Sequence, residues 1–361
     1  MSMTSTPSDA RKPRRVAKLL ITAAVAASLG VLGACSDNTA SSGKSPSATP
    51  SSTAKSTASA SPSASPTPTI KPSTNLDGLK VSGKYGEPPA LTFKHPWAIN
   101  KTQSEVISKG DGAKVQNDGS VAVNYTGWIG RTGKKFDSSY EKSFQHQKTA
   151  YFSLSGVIPG FKKGLQGKHA GDRVLIAMTG PDGYDSSGGN SQAGIKVGDT
   201  LIFVVDIVDT TRTTAEGKEH KPDPNLPIVK MTDDKPTVTI PKTDPPTKTT
   251  VEELITGDGA KVKSSDNVTT RSQTILWKDG KVVDDSWAQP FTPQLDQQTG
   301  TYSPTRNKAM QKAMVGHPIG SRLIMVFPPG TAYKYDDKSQ GVTKDDTVVM
   351  VVDILFSQPT Q

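Results

Sequence analysis

One cysteine in 361 residues excludes a disulfide framework and any cysteine-rich zinc site. Five histidines, none of them paired at helical spacing, argue against a histidine metal centre, so neither metal nor cofactor is expected. Core material is scarce too. Hydrophobic residues make up 33% of the chain and aromatics 6%, diluted by 32 glycines and 27 prolines. Such dilution marks long segments that cannot offset their ordering entropy by burial. The N-terminal apolar run, Leu19–Ala34, falls short of the ~20 residues a spanning helix needs. Positive charge is in formal excess at +9, but Arg11, Lys12, Arg14, Arg15 and Lys18 supply five of those charges against the single Asp9. Without residues 1–34 the balance is +5, a mildly basic surface and not the footprint of a nucleic-acid partner.

The basic cluster followed by an Ala-rich apolar run has the form of a signal peptide over 1–34. It ends at Leu32-Gly33-Ala34-Cys35, and Cys35 is the chain's one cysteine. This ending resembles a bacterial lipobox, which implies a lipidated Cys35 and an anchor on the extracytoplasmic side of the cell membrane. An incidental free cysteine after an ordinary cleavage site is the alternative. Arg14-Arg15 resembles the start of a twin-arginine signal without the residues that should follow it. From residue 35 to 84 the chain is dominated by Ser, Thr, Ala, Pro and Lys, and reads as a disordered tether.

The remainder is one unit written twice. Gly110-Asp111-Gly112-Ala113-Lys114-Val115 recurs as Gly257-Asp258-Gly259-Ala260-Lys261-Val262, and Val204-Val205-Asp206-Ile207 recurs as Val351-Val352-Asp353-Ile354. Both repeats are offset by 147 residues, while Gly171 and Arg173 match Gly320 and Arg322 at an offset of 149. The sequence therefore divides into a first domain over 85–212, a linker over 213–231 and a second domain over 232–361. Within the first, Val121–Tyr125, Arg173–Met178 and Thr200–Val208 read as strands, and Pro159 opens a short helix over Phe161–Leu165. The fold class is α+β, an antiparallel sheet packed on a short helix.

Four motifs then follow in order. They are Val123-Asn124-Tyr125-Thr126-Gly127-Trp128 with Phe136-Asp137-Ser138-Ser139, Val157-Ile158-Pro159-Gly160-Phe161, Pro181-Asp182-Gly183-Tyr184, and Thr200-Leu201-Ile202-Phe203. Together they resemble the FKBP-type peptidyl-prolyl isomerases, over about 88–210 directly and over 234–356 through the repeat. The resemblance implies an FKBP-like sheet wrapped on its helix, twice in tandem, and an enzyme that turns X-Pro bonds. It also implies proline-containing polypeptides as substrates and the macrolides tacrolimus and rapamycin as inhibitors. By resemblance Tyr125, Phe136, Val157, Ile158, Phe161, Tyr184 and Phe203 line the proline pocket, with Asp137 at the rim and Ile195 above. Phe161 stands where the family usually has tryptophan. The Tyr184 hydroxyl and the Ile158 N–H become the donors to the carbonyls that flank the proline. Two positions depart from the family: Lys142 is the candidate partner of Asp137, and Ala150 takes the place of a further pocket phenylalanine.

Taken singly, each aromatic is a core residue as readily as a pocket residue. Their distribution is uneven: thirteen of the 21 fall in 85–212 and eight in 232–358. At the 147 offset Tyr125 becomes Ser272 and Phe136 becomes Val283, while Asp137 is kept as Asp284. No Val-Ile-Pro-Gly-Phe run occurs near Pro304–Lys308. The second copy is thus expected to keep the fold and lose the site. The leading reading is an exported lipoprotein isomerase; the alternative is a non-catalytic chaperone or scaffold of the same fold. Gly110-Asp111-Gly112 and Ser187-Gly188-Gly189-Asn190 lack the Lys-Ser/Thr of a phosphate loop and read as turns.

Overall fold

A computed structural model describes residues 70–141, 148–287 and 308–359. The leader, Cys35, the tether to residue 69, Lys142 and residues 304–307 lie outside the described residues. Alternating apolar runs bounded by Gly, Pro and Asp become strands throughout. In the first copy these are β1 (Lys80–Ser82), β2 (Ala90–Thr92), β3 (Gln103–Ser108), β4 (Ser120–Ile129), β5 (Lys135–Ser138), β6 (Ala150–Ser153), α1 (Pro159–Leu165), β7 (Arg173–Met178) and β8 (Leu201–Thr210). The second contributes β9 (Gly217–Glu219), β10 (Ile228–Thr232), β11 (Lys235–Thr239), β12 (Thr250–Gly257), β13 (Asp266–Leu276), β14 (Val282–Asp285), α2 (Lys308–Met314), β15 (Arg322–Phe327) and β16 (Val348–Pro359). The fold is sheet-dominated, with one seven-residue α-helix described per copy.

The first main sheet runs β3-β7-β8-β4-β5, with β6 also paired to β4; the second runs β14-β13-β16-β15-β12-β9. All pairings within them are antiparallel. Every residue of β4 is buried, because both faces of the sheet are covered. On the inner face Val121, Val123, Tyr125 and Ile129 of β4 join Phe161 and Leu165 of α1 and Phe203, Val205 and Ile207 of β8. On the outer face Trp128, Leu175, Ile202 and Val204 are covered by Leu76, Leu79 and Ile99. The second sheet repeats the plan, with Leu226 over Ile275, Ile324, Val349 and Val351.

Those outer layers move both segment boundaries. Residues 73–84 do not belong to the tether: Ser73 bridges to Ile99, β1 pairs with β2, and Leu76 and Leu79 are each 7% exposed. Nor is 213–231 a free linker, since β9 extends the second sheet beside β12 and Leu226 is 5% exposed. The cause is the same in both. A central antiparallel sheet presents apolar side chains on two faces, and the preceding polar segment supplies the few leucines that cover the second face.

The repeated Arg and Asp prove to be framework. Arg173 Nε lies 2.6 Å from Asp206 Oδ1 with both side chains 1% exposed, and Arg322 Nε lies 2.7 Å from Asp353 Oδ1. Remaining polar groups are satisfied nearby. Asp206 Oδ2 also accepts from Gly86 N–H and the Tyr140 hydroxyl, and Asp353 Oδ2 accepts from Ala215 N–H. The repeated Gly-Asp-Gly is a close crossing and not a ligand loop: Gly112 N–H donates to Ala170 O, and Gly259 N–H to Ile319 O. The copies touch through Arg212, whose N–H donates to Leu355 O while its guanidinium pairs with Asp209 and Asp258.

Candidate active site

Strand alternation puts Tyr125 and Phe203 on the inner face of neighbouring strands, and α1 brings Phe161 against them. Pro159 starts that helix, where its missing N–H costs nothing. The Phe203 ring is the hub. It meets Phe136 at 5.5 Å and 85°, Phe161 at 5.6 Å and 80°, and Tyr125 at 6.1 Å and 52° between centroids and planes. Tyr125 and Phe161 are themselves 6.3 Å apart, nearly perpendicular. Edge-to-face pairs at such separations contribute about 0.5–1.5 kcal/mol each beyond area burial, enough to hold the rings in fixed orientations.

Around this hub the half-buried Phe136, Val157, Ile158 and Tyr184 pack on the core with the buried Ile195. Ile195 is held in its loop by two hydrogen bonds with Asn190: Asn190 N–H to Ile195 O, and Ile195 N–H to Asn190 O, each 2.9 Å. The residues read from the motifs are therefore brought together in one place, apart from Cys35, which lies outside the described residues. Asp137 sits at the edge on β5, where its Oδ2 accepts the Tyr125 hydroxyl at 2.7 Å. Burial, and then this bond to Asp137, push the Tyr125 phenol well above its usual range. Burial, and then the charge of Asp137, raise Tyr184 as well. Both phenols stay neutral donors at any physiological pH. Among the described residues, neither the Tyr184 hydroxyl nor the Ile158 N–H is taken by a protein acceptor.

Two contributors are not evident from the motifs. Ala150, in the place of the missing phenylalanine, is 3% exposed and pairs with Val123 of β4. Phe152, two residues along the same face of β6, packs on Tyr125 at 5.9 Å and on Phe161 at 6.0 Å. Alternation within Ala150–Ser153 is the signal that could have found it. The other is Gly127, whose significance lies in what its absent side chain permits.

Strand register identifies the counterparts in the second copy. Thr274 pairs with Asp284 and Met350 as Gly127 pairs with Asp137 and Phe203. Hence Ser272 stands for Tyr125, Thr274 for Gly127 and Met350 for Phe203. The two helices, both seven residues long, set Met310 against Phe161. Met310, Met314, Met325 and Met350 are buried there with Phe327, and Val283 packs against them. Tyr333 is the counterpart of Tyr184 at the 149 offset, and its hydroxyl donates to Gln340 Oε1 at 3.0 Å.

The family described as FKBP-type peptidyl-prolyl cis-trans isomerase matches residues 112–208 and again 259–355. An FK506-binding protein of Streptomyces anulatus is 34% identical over 126 residues, covering 34% of this chain and 89% of that protein. The isomerase FkpA of Escherichia coli K12 is 31% identical over 105 residues, which is 29% of this chain and only 36% of FkpA. Among solved structures, the three FKBP domains of wheat FKBP73 align with 71% of this chain and 94% of that one, at 17% identity and a TM-score of 0.30. The chain belongs to the FKBP-type peptidyl-prolyl cis-trans isomerases and carries the family's fold in two tandem copies.

Proposed function

We propose that the first copy is the catalytic one, and that it turns X-Pro bonds in polypeptides that have left the cytoplasm. The observation that carries the assignment is the aromatic box around Phe203 with two unengaged donors, Tyr184 and Ile158, at its edge. An X-Pro amide isomerises over a barrier of about 20 kcal/mol, in tens to hundreds of seconds unaided. Twisting the bond removes its resonance and reduces its charge separation, so a dry aromatic wall favours the twisted state over the planar one. The two donors hold the flanking carbonyls. No covalent bond breaks and no proton need transfer, so catalysis is differential binding of the twisted amide. Asp137 acts by holding the Tyr125 ring in place. Tacrolimus and rapamycin would compete for the same box.

The extracytoplasmic part of this reading rests on sequence: the basic cluster, the apolar run and Cys35 at its end, followed by a tether. Cys35→Ser should release the protein to the medium or leave an uncleaved precursor; processed, membrane-bound protein would exclude the anchor. For the second copy, Ser272, Val283, Met310 and Met350 in place of four rings support a module that keeps the fold and holds polypeptide without turning it over. The test is an isomerase assay on a Xaa-Pro peptide with the full chain and its Phe136→Ala and Tyr184→Ala variants. Each should lose at least 1–3 kcal/mol of transition-state stabilisation, roughly 5- to 150-fold in kcat/KM. Full activity in both would remove the first copy's site from consideration.

A further inference from the structure

β4 turns Val121, Val123, Tyr125 and Ile129 toward the inner core, and a period of two puts residue 127 in the same row. That place alone in the row has no side chain. A β-carbon built on Gly127 would lie 2.8 Å from Cζ and 2.9 Å from Cε1 of Phe136, and 2.9 Å from Cε1 of Phe203. Non-bonded carbons settle at about 3.5–4.0 Å, so a β-carbon and these two rings cannot share the space. Nor does the backbone call for glycine here, since Gly127 is not among the residues with left-handed φ. Space is the reason.

The second copy shows the other solution. Its register-equivalent residue is Thr274, whose strand partners are Asp284 and Met350, and Val283 and Met350 stand in the second copy where Phe136 and Phe203 stand in the first. Three positions thus change together between the copies: glycine with two rings, threonine with a branched aliphatic and a thioether. The fold tolerates both sets, because the sheet register around them is the same.

We propose that Gly127 is a positioning residue for the isomerase reaction. By omitting a side chain it lets Phe136 and Phe203 meet edge to face at the place that receives the proline ring, and any side chain there closes the site. The inference rests on the reading of the first copy as catalytic. The full chain is assayed for kcat and KM on a Xaa-Pro peptide and for its thermal midpoint, as Gly127→Ala, Gly127→Thr, Gly127→Thr with Phe136→Val, and Phe136→Ala.

Gly127→Ala should lower kcat/KM about tenfold and Gly127→Thr about a hundredfold or more. The added Phe136→Val should recover the midpoint lost by threonine and leave turnover lost, a separation that a purely structural residue would not produce. Three results overturn the proposal. One is kcat/KM within threefold of the parent in both single variants while Phe136→Ala is crippled. Another is recovery of turnover together with the midpoint in the double variant. The last is unfolding in both single variants that Phe136→Val does not relieve, which would place the crowding in the backbone. Full activity in Phe136→Ala is a different outcome, because it removes the site itself.

Discussion

The two copies share a framework and differ in their centres. Strand register, the crossing at Gly-Asp-Gly and the buried Arg–Asp pair recur in both. Tyr125, Phe136, Phe161 and Phe203 give way to Ser272, Val283, Met310 and Met350. The difference separates what a sheet of this kind needs in order to form from what its concave face needs in order to work. Apolar volume suffices for the first, and flexible methionine fills irregular space well. On the proposed assignment of catalysis to the first copy, the second demands rigid rings at set angles and an empty position beside them. A neighbouring place shows the same independence of detail: Tyr140 donates to Asp206, whereas its counterpart Trp287 stacks on Arg322 at 5.6 Å and on Arg271 at 5.1 Å.

The strongest test of the shared framework is to break it in one copy at a time. Removing one partner of a buried ion pair leaves an uncompensated charge and costs about 3–5 kcal/mol. Arg322→Ala should therefore expose the amides of β13, β15 and β16 to hydrogen exchange while isomerase turnover persists. Arg173→Ala should abolish turnover along with protection in β4, β7 and β8. Loss of turnover in Arg322→Ala would mean that the copies are one cooperative unit.

Next in size is the hub. Phe203→Ala leaves a cavity among three rings and should cost about 3–5 kcal/mol of stability, with turnover falling by more than a hundredfold. The corresponding Met350→Ala should lower the thermal midpoint by a comparable amount and leave kcat/KM unchanged. Equal loss of activity in the two variants would erase the distinction between the centres.

Smaller effects are expected at the edge and from pH. Tyr125→Phe removes the hydroxyl that Asp137 accepts and should cost about 1 kcal/mol of stability, read as a midpoint lowered by a few degrees with a modest fall in kcat/KM. Among the described residues the first copy's site gathers no histidine, and burial raises its phenols Tyr125 and Tyr184, so kcat/KM should stay flat from about pH 5.5 to 8.5, where a poised base would give a bell. Burial raises Tyr125, Tyr140 and Tyr184 above their ordinary 10.0. Above about pH 10 the unfolded chain releases these protons and the folded chain keeps them. Stability is thus full below the unfolded value and is lost as pH rises, most steeply beyond 10. Chemical denaturation at pH 8 and pH 11, with and without Tyr184→Phe, reads that loss.

Much of the site is legible in the chain because it is carried by short contiguous motifs. Phe136-Asp137 and Val157-Ile158-Pro159-Gly160-Phe161 each deliver several pocket residues from one strand or one helical turn. The helix starts where proline permits, and Arg173–Met178 alternates over the whole of β7. Phe152 escapes that reading because a ring in a four-residue strand that also carries Tyr151 is indistinguishable from core. Lys142, read as the partner of Asp137, lies outside the described residues, and the Tyr125 hydroxyl is the partner found.

By itself the amino-acid order determined the repeat, the positions of the inner strands and the loss of rings from the second copy, since each is a matter of residue type at a fixed spacing. Tertiary structure alone decided three other things. Leu76, Leu79 and Leu226 are solitary apolar residues in polar stretches with no period to betray them, and they fold only because a distant sheet offers a second bare face. Arg173 and Asp206 become framework and not site because β7 and β8 lie side by side and exclude water from both charges. Gly127 acquires its role from two rings that reach it from other strands, Phe136 on β5 and Phe203 on β8. An absent side chain carries no signal along a sequence; its effect exists only where other groups converge on the space it leaves.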